Sequence, residues 1–424
     1  MINHIYNIYR QHPEICIDTR QVSEACIFFA LKGPNFNANE FAIQALEKGA
    51  AFAVVDEEKY VLDERYILVK DVLKSLQELA NYHRKQLKCT IIGITGTNGK
   101  TTSKELCLQV LKAKFKTQAT KGNLNNHIGV PLSLLSLRKD TELAIIEMGA
   151  NHIGEIDFLC TIAEPDLGII TNVGKAHLEG FGSLEGVLKT KTELYRFLES
   201  KEGPIFIKDN QQLLIEQIPL KCNAISYGQL DDSTYKIQNK GAQPFMKVAV
   251  DAIEIQSKLI GDYNFDNIAL SIAMGLHFGV STKDIKKAIE NYNPTNNRSQ
   301  IVETENNTIL LDAYNANPMS LEKAIHNISN IEHPNKVMIL GDMFELGADT
   351  NKEHTNIINH CLNSRIQQIL LVGELFDAIN ETNYMSFRST NNIVDYIKSH
   401  PFKDAFILIK GSRGMKLEQL VELL

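Results

Sequence analysis

The sequence predicts an α/β protein built as three domains. Three observations carry that prediction. Short apolar, β-branched runs alternate with helical stretches through nearly the whole chain, the pattern of parallel sheets with helices on both faces. The rhythm breaks twice, at a basic helix end near residue 88 and at the Asn-rich stretch NYNPTNNRSQ, Asn291 to Gln300. A length of 424 residues also suits about three domains at roughly 150 residues each. The expected domains are 1–88, 89–294 and 295–424.

In the first, Glu14 to Ile17, Ala25 to Leu31, Ala51 to Val55 and Tyr66 to Val69 read as strands. Phe41 to Lys48 reads as a helix stopped by Gly49, a residue suited to a left-handed cap. A helix from Asp71 to about Leu87, basic in its last turns (Arg84, Lys85, Lys88), closes this small α/β domain.

From Cys89 the order becomes strand, loop, helix, repeated. CTIIGIT has the composition of a strand buried on both faces. Leu143 to Met148, Leu167 to Thr171 and Pro204 to Ile207 are further strands. Thr101 to Leu111, Ile153 to Ile162 and a long segment from Leu184 to Leu198 are helices. The alternation predicts a central doubly wound parallel sheet. Thr234 to Ser257 reads as an antiparallel appendage, and Asn264 to Phe278 and Thr282 to Asn291 as helices.

In the last domain Ile309 to Asp312, Lys336 to Leu340, Gln368 to Val372 and Ala405 to Lys410 are strands. Pro318 to Ser329, Asn351 to Leu362, Ile393 to His400 and Leu417 to Leu424 are helices.

Composition removes several function classes. Apolar residues are 44% and charged residues 22%, values of an ordinary globular protein. A net charge of −7 argues against binding nucleic acid through the overall field. No apolar run approaches the roughly 20 residues that span a bilayer, and the N-terminus lacks a signal-peptide core. The seven cysteines form no C-x-x-C pair. They read as reduced core thiols of a cytoplasmic protein. A monomer without membrane insertion is expected.

The most informative stretch is GITGTNGKTT, Gly93 to Thr102. A buried strand ends in a Gly-rich turn that opens a helix. Glycines let backbone N–H groups turn inward, and the helix N-terminus adds a positive dipole end. Lys100 is placed to neutralise β- and γ-phosphates, and the Thr101 hydroxyl to bind Mg²⁺. Gly96, Thr97, Asn98, Gly99 and Thr102 complete the cradle. The spacing departs from G-x-x-x-x-G-K-[ST], because Ile94 stands at its first glycine. The central domain is thus expected to be P-loop ATPase-like, with ATP and Mg²⁺ as ligands. Glu147 ends the strand LAIIEM, where ligands collect in parallel sheets, and is a hard oxygen donor suited to Mg²⁺.

At this residue set the chain resembles the Mur ligase family, whose loop reads T-G-T-[NT]-G-K-[TS]. Four further stretches carry the resemblance along the chain: TKGNLNNHIGVPLSLL, EMGANHIGEI, NVGKAHLEGFGS and DAYNANPMS. These are ATP-dependent carboxylate–amine ligases of cytoplasmic peptidoglycan precursor synthesis. The four stretches most resemble the branch that adds D-alanyl-D-alanine to a UDP-muramoyl tripeptide through an acyl phosphate. The resemblance implies an N-terminal UDP-substrate domain and a C-terminal Rossmann-like domain. It implies a second Mg²⁺ at His177, and a carbamoylated Lys191 as an anionic metal ligand. Lys189 is the rival in register, but it points about 200° around a helix from Lys191. The catalytic set is then Lys100, Glu147, His177 and Lys191.

By the same resemblance Asn264 and Asn267 lie at the adenine. Arg298 reaches the phosphates from the inter-domain link, and Asp312 accepts the ribose hydroxyls. The family often has two acidic residues where this chain has Leu311-Asp312. Thr19, Arg20, Gly33 and Asn35 are expected at the uridine diphosphate, although F-D-G-H of the family is Phe36-Asn37-Ala38-Asn39 here. Asn125 and Asn126 are expected against the muramoyl peptide, and Tyr314, Asn315 and Asn317 at the dipeptide end, together with the stretches LGDMFELG (Leu340 to Gly347) and KGSRGM (Lys410 to Met415). Two other activities share the loop: a related amide ligase such as folylpolyglutamate synthase, and a slow nucleotide-hydrolysing switch. NLNNHIGVP and DAYNANP argue against the first. Glu147, His177 and Lys191 together argue against the second.

Overall fold

The computed structural model describes all residues, 1–424. The first sheet is parallel and pairs Ile15–Cys16, Ile27–Phe29, Phe52–Val55 and Tyr66–Leu68 in sequential order. Alternate side chains of one strand enter different cores, as the period of two requires. Phe28 faces helix Ala42–Glu47, while Ile27 and Phe29 face helix Val72–Gln86. An N-terminal helix, Ile2–Gln11, was not expected from the sequence. It buries Ile5, Tyr6 and Tyr9 along one side.

The central sheet has seven parallel strands. In spatial order they are Tyr235–Lys236, Ala224–Gly228, Ile205–Lys208, Leu167–Ile170, Thr90–Thr95, Leu143–Glu147 and Thr117–Ala119. The chain winds to one side of Thr90–Thr95 and then to the other. That strand therefore sits at the topological switch point, where open parallel sheets bind ligands. The expected appendage is an antiparallel sheet of Gln238–Ala242, Phe245–Val250 and Ile253–Ile260. Tyr235–Lys236 belongs instead to the edge of the parallel sheet.

The long helix expected from Leu184 to Leu198 is two helices, Leu184–Lys191 and Glu193–Glu199. They meet at Thr192, whose hydroxyl donates to Leu188 O at 2.8 Å. Such back-bonding competes with the helical ladder and bends it. Tyr195, on the second helix, is fully buried, and its hydroxyl has no protein hydrogen-bond partner. Removing an unpaired buried polar atom relieves a desolvation cost of about 1 kcal/mol or more. Tyr195→Phe is therefore expected to raise the thermal midpoint; a lower midpoint in a calorimetric scan would refute this reading.

The third sheet runs Gln300–Glu303, Asn307–Asp312, Ala405–Lys410, Lys336–Gly341, Gln368–Val372 and Met385–Phe387. All pairs are parallel except the first. The two edge strands were not expected. The final segment, expected as an α-helix, is a 3₁₀ run, Leu417–Leu423. Its buried leucines, Leu417 and Leu420, are three apart, the repeat that suits a 3₁₀ turn.

One core of 39 buried residues runs from Ile5 to Cys222, beneath both the first and the central sheets. Helix Val72–Gln86 is the wall they share, and it leads directly into strand Thr90–Thr95. Its basic end is explained by Arg84, which donates to Ala163 O at 3.1 Å, Glu164 O at 3.0 Å and Asp166 Oδ2 at 2.8 Å. The third sheet has two cores of its own, one largely on each face. No helix is long and apolar enough to cross a membrane.

Candidate functional site

The carboxyl ends of the central and third sheets border one cavity of about 970 Å³. Its floor is the turn after Thr90–Thr95. Gly96 has φ 141° and Gly99 φ 80°. A Cβ on Gly96 would lie 2.0 Å from Thr171 Oγ1, and one on Gly99 2.5 Å from Asn267 Oδ1. Both positions require glycine on two counts. Helix Lys100–Lys112 follows at once. Lys100 Nζ folds back to donate to Gly96 O at 2.6 Å and Thr97 O at 3.0 Å. Burial pulls its ammonium down to about 8, and Arg298 acts in the same direction.

Glu147 is buried at the end of the neighbouring strand. Its Oε1 accepts from Thr101 Oγ1 at 3.2 Å and from Asn125 Nδ2 at 2.9 Å. Its Oε2 is buried without a hydrogen-bond donor and stands 3.8 Å from Lys104 Nζ. A buried carboxylate oxygen left open beside a threonine hydroxyl fits a hard cation such as Mg²⁺. Lys104, which the sequence reading did not single out, is fully buried and donates to Thr120 O at 2.5 Å. It ties the phosphate-loop helix to the polar loop that carries Asn125 and Asn126. Asn126 Oδ1 accepts from Gly129 N at 2.8 Å and so caps a helix as well as lining the cavity.

His177 lies in the loop after Leu167–Ile170 and lines the cavity. Its Nδ1 is 2.5 Å from Glu345 Oε2, and this neighbour holds the Glu345 carboxyl below its ordinary range. Lys191 is buried behind the cavity wall, with Nζ 5.3 Å from the centre of the Phe181 ring. The same ring meets His177 edge-on at 6.2 Å. Burial, then Lys100, pulls the Lys191 amine down to about 7. Lys189 is exposed.

Asn264 and Asn267 open helix Phe265–His277. Asn267 Nδ2 donates to Asn264 Oδ1, and Asn267 Oδ1 accepts from Ser103 Oγ, both at 2.9 Å. From the third unit, Arg298 stacks on Tyr314 at 3.6 Å from the ring centre. Asp312 accepts from Lys410 Nζ at 2.6 Å and Ser299 N at 3.3 Å. Asn315 lines the cavity, with its backbone oxygen 3.2 Å from Lys410 Nζ. Asn317 is not on the wall. It caps helix Pro318–Asn330 and donates through Nδ2 to Asn98 Oδ1 at 2.8 Å, joining the third unit to the phosphate loop.

The structure does not bring Thr19, Arg20, Gly33 and Asn35 to this cavity. Arg20 is exposed and pairs with its neighbour Asp18 at 2.7 Å. Gly33 lies under the Phe36 ring in a small hairpin. Sequence reading also missed Gln77, Asn151, His152 and Lys323 on the cavity wall. Lys410, the first residue of the stretch KGSRGM, lines the cavity at the end of an apolar strand.

Comparison with known proteins identifies the family. The family models described as Mur ligase middle domain and Mur ligase, glutamate ligase domain match residues 94–275 and 297–413. The UDP-N-acetylmuramoyl-tripeptide–D-alanyl-D-alanine ligase of Bacillus subtilis is 33% identical over 423 residues, covering 96% of this chain and 92% of its own. The Escherichia coli protein of that name is 31% identical, over 97% and 93%. Among solved structures, MurF from Acinetobacter baumannii superposes with a TM-score of 0.85 at 29% identity, covering 96% of this chain and 92% of that one. MurF ligase from Thermotoga maritima in complex with ADP gives 0.84 at 25%, covering 97% and 96%. With one third of its residues shared along nearly the full length of a curated relative, and with the phosphate turn, the buried carboxylate and the third unit's side chains around one cavity, this chain belongs to the Mur ligase family.

Proposed function

We propose that this enzyme joins D-alanyl-D-alanine to the terminal carboxyl of a UDP-N-acetylmuramoyl tripeptide, driven by ATP, in peptidoglycan precursor synthesis. The observation that carries the reading is one cavity shared by a phosphate turn and a second sheet's carboxyl end. The first activates a carboxylate and the second brings an amine. The domain limits that follow are 1–88, 89–294 and 295–424.

A carboxylate resists attack by an amine at neutral pH. Transfer of the γ-phosphoryl to it forms an acyl phosphate, which the dipeptide amine attacks with loss of phosphate. Charge gathers on oxygen in both steps, so fixed cations and dipoles do the work. Lys100 and the N-terminus of helix Lys100–Lys112 hold the phosphates, and Arg298 approaches from the third unit. Asn264 and Asn267 hold the adenine end, and Asp312 the ribose. Thr101 and Glu147 are the residues that would hold Mg²⁺, with His177 and a carbamate on Lys191 for a second ion. Mg²⁺ when bound neutralises the charge that develops on the transferring group. Asn125 and Asn126 orient the muramoyl peptide, and Tyr314 and Asn315 shape the dipeptide end, with Asn317 tying that end to the phosphate loop through Asn98. The uridine diphosphate extends out of the cavity toward Thr19, Arg20, Gly33 and Asn35 on the first sheet's loops. The reading takes the active species as a monomer. Seven free, buried cysteines suit the reducing cytoplasm.

The test is a substrate-pair screen with mass detection of the product. Phosphate release is expected only when tripeptide precursor and dipeptide are both present. Release with ATP alone at the same rate, or a product with a single amino acid in place of the dipeptide, would overturn the assignment.

A further inference from the structure

The loop leaving strand Leu167–Ile170 is gripped by the third unit at two points. Lys175 Nζ donates to buried Glu353 Oε1 at 2.9 Å. Two residues on, buried His177 Nδ1 meets Glu345 Oε2 at 2.5 Å, a charge contact without the alignment of a hydrogen bond. Glu345 stands in the turn GDMFELG that leaves strand Lys336–Gly341. Both members of the second contact are non-glycine residues in the left-handed region, with φ 51° at His177 and 64° at Glu345. Such backbone persists only where the surroundings hold it, and it clusters at functional sites. The surroundings are close here. A Cβ on Gly347 would lie 3.6 Å from Glu179 Cα, in the short helix that begins after His177.

What touches one imidazole nitrogen decides what the other can do. The negative charge of a carboxylate packed against Nδ1 favours the tautomer with its proton on that side, which leaves the Nε2 lone pair free. The same pairing fixes the ring direction and strengthens histidines that ligate cations. We propose that Glu345 is a positioning residue for the ligation reaction, carried in by the third unit to set the tautomer and direction of His177. This rests on the reading of His177 as a ligand of the catalytic cation. Its consequence is an order of events. His177 is oriented only once the third unit, which brings the amine, has docked. The energised carboxyl then forms with its acceptor beside it, and water has little time to destroy it.

The experiment compares full-length E345A, E345Q, E353Q and H177A. It reads kcat, the KM of each substrate, the thermal midpoint and the imidazole ¹⁵N resonances of His177. E345A is expected to lower kcat about 10- to 100-fold, the range for removing a partner of a ligating histidine. Each KM should stay within about twofold, because substrate binding is not what is lost. The His177 resonances should shift from the Nδ1–H form toward a mixture, at an unchanged thermal midpoint. E345Q, whose amide oxygen keeps a partial negative charge against Nδ1, should recover part of the loss. E353Q breaks the other grip and should cost less than about fivefold, the worth of one half-exposed ion pair, with His177 unshifted. Unchanged His177 resonances in E345A, or equal losses in E345A and E353Q, would overturn the proposal while H177A is inactive. A fully active H177A would instead remove the underlying reading of His177.

Discussion

Lys100→Ala is expected to cut kcat/KM for ATP by about 10²- to 10³-fold, the scale of losing one preorganised charge at a transition state. The protein should remain folded. In this structure the Lys100 ammonium rests on two carbonyls of its own turn, Gly96 O and Thr97 O. Burial holds it down to about 8. A polyphosphate supplies the counter-charge that this lysine lacks, so its attraction strengthens as the terminal phosphoryl moves. The sign for stability runs the other way. A lysine harder to protonate when folded than when unfolded destabilises the fold at neutral pH, and removing it lifts that burden. Activity should therefore collapse while the thermal midpoint holds or rises. Steady-state kinetics and a melting scan on one preparation check both halves. A variant that keeps activity within tenfold of the parent would refute the role.

Lys191→Ala should lose turnover on the same scale of about 10²- to 10³-fold, and small carboxylic acids such as formate or acetate should restore part of it. Lys191 ends helix Leu184–Lys191 and is buried, with its amine pulled down to about 7. An amine near 7 is largely uncharged at slightly alkaline pH and can attack CO₂. The new N–C bond yields a carbamate, and a proton leaves. Below about 7 the amine is protonated and the attack stops. Enzyme stripped of CO₂ and assayed below that pH should lose activity, and bicarbonate at higher pH should return it. Lys189→Ala is the register control and should behave as the parent, because Lys189 is exposed. Full activity of Lys191→Ala, or a larger loss in Lys189→Ala, would end the carbamate proposal.

What could be read from the sequence follows from the range of the interactions. Strand Thr90–Thr95 and Glu147 at the end of Leu143–Glu147 were legible because composition and position along one strand suffice. Lys100 and Thr101 were legible because their meaning depends on neighbours in the same turn. Helix Ile2–Gln11 was missed, since its buried face of one isoleucine and two tyrosines shows only against helix Val72–Gln86. Strand Met385–Phe387 is three residues at an edge, too short for a pattern. The break at Thr192 comes from one hydroxyl choosing a backbone carbonyl. Lys104, Glu345 and Lys410 gain their meaning from partners far along the chain. For Lys410 and Asp312 the separation is 98 positions, and no local rule reaches that far.

The buried mass common to the first two sheets makes them a single casting. With the sugar nucleotide held on the first sheet's loops as proposed, and the phosphate turn built into the other part, the gap between them would act as a caliper. An extended residue spans at most about 3.3–3.6 Å. A precursor short by one would stop that far from Lys100, outside the distance for in-line transfer. On that proposed placement a rigid frame would measure length, and no side chain would need to recognise the residue that is missing.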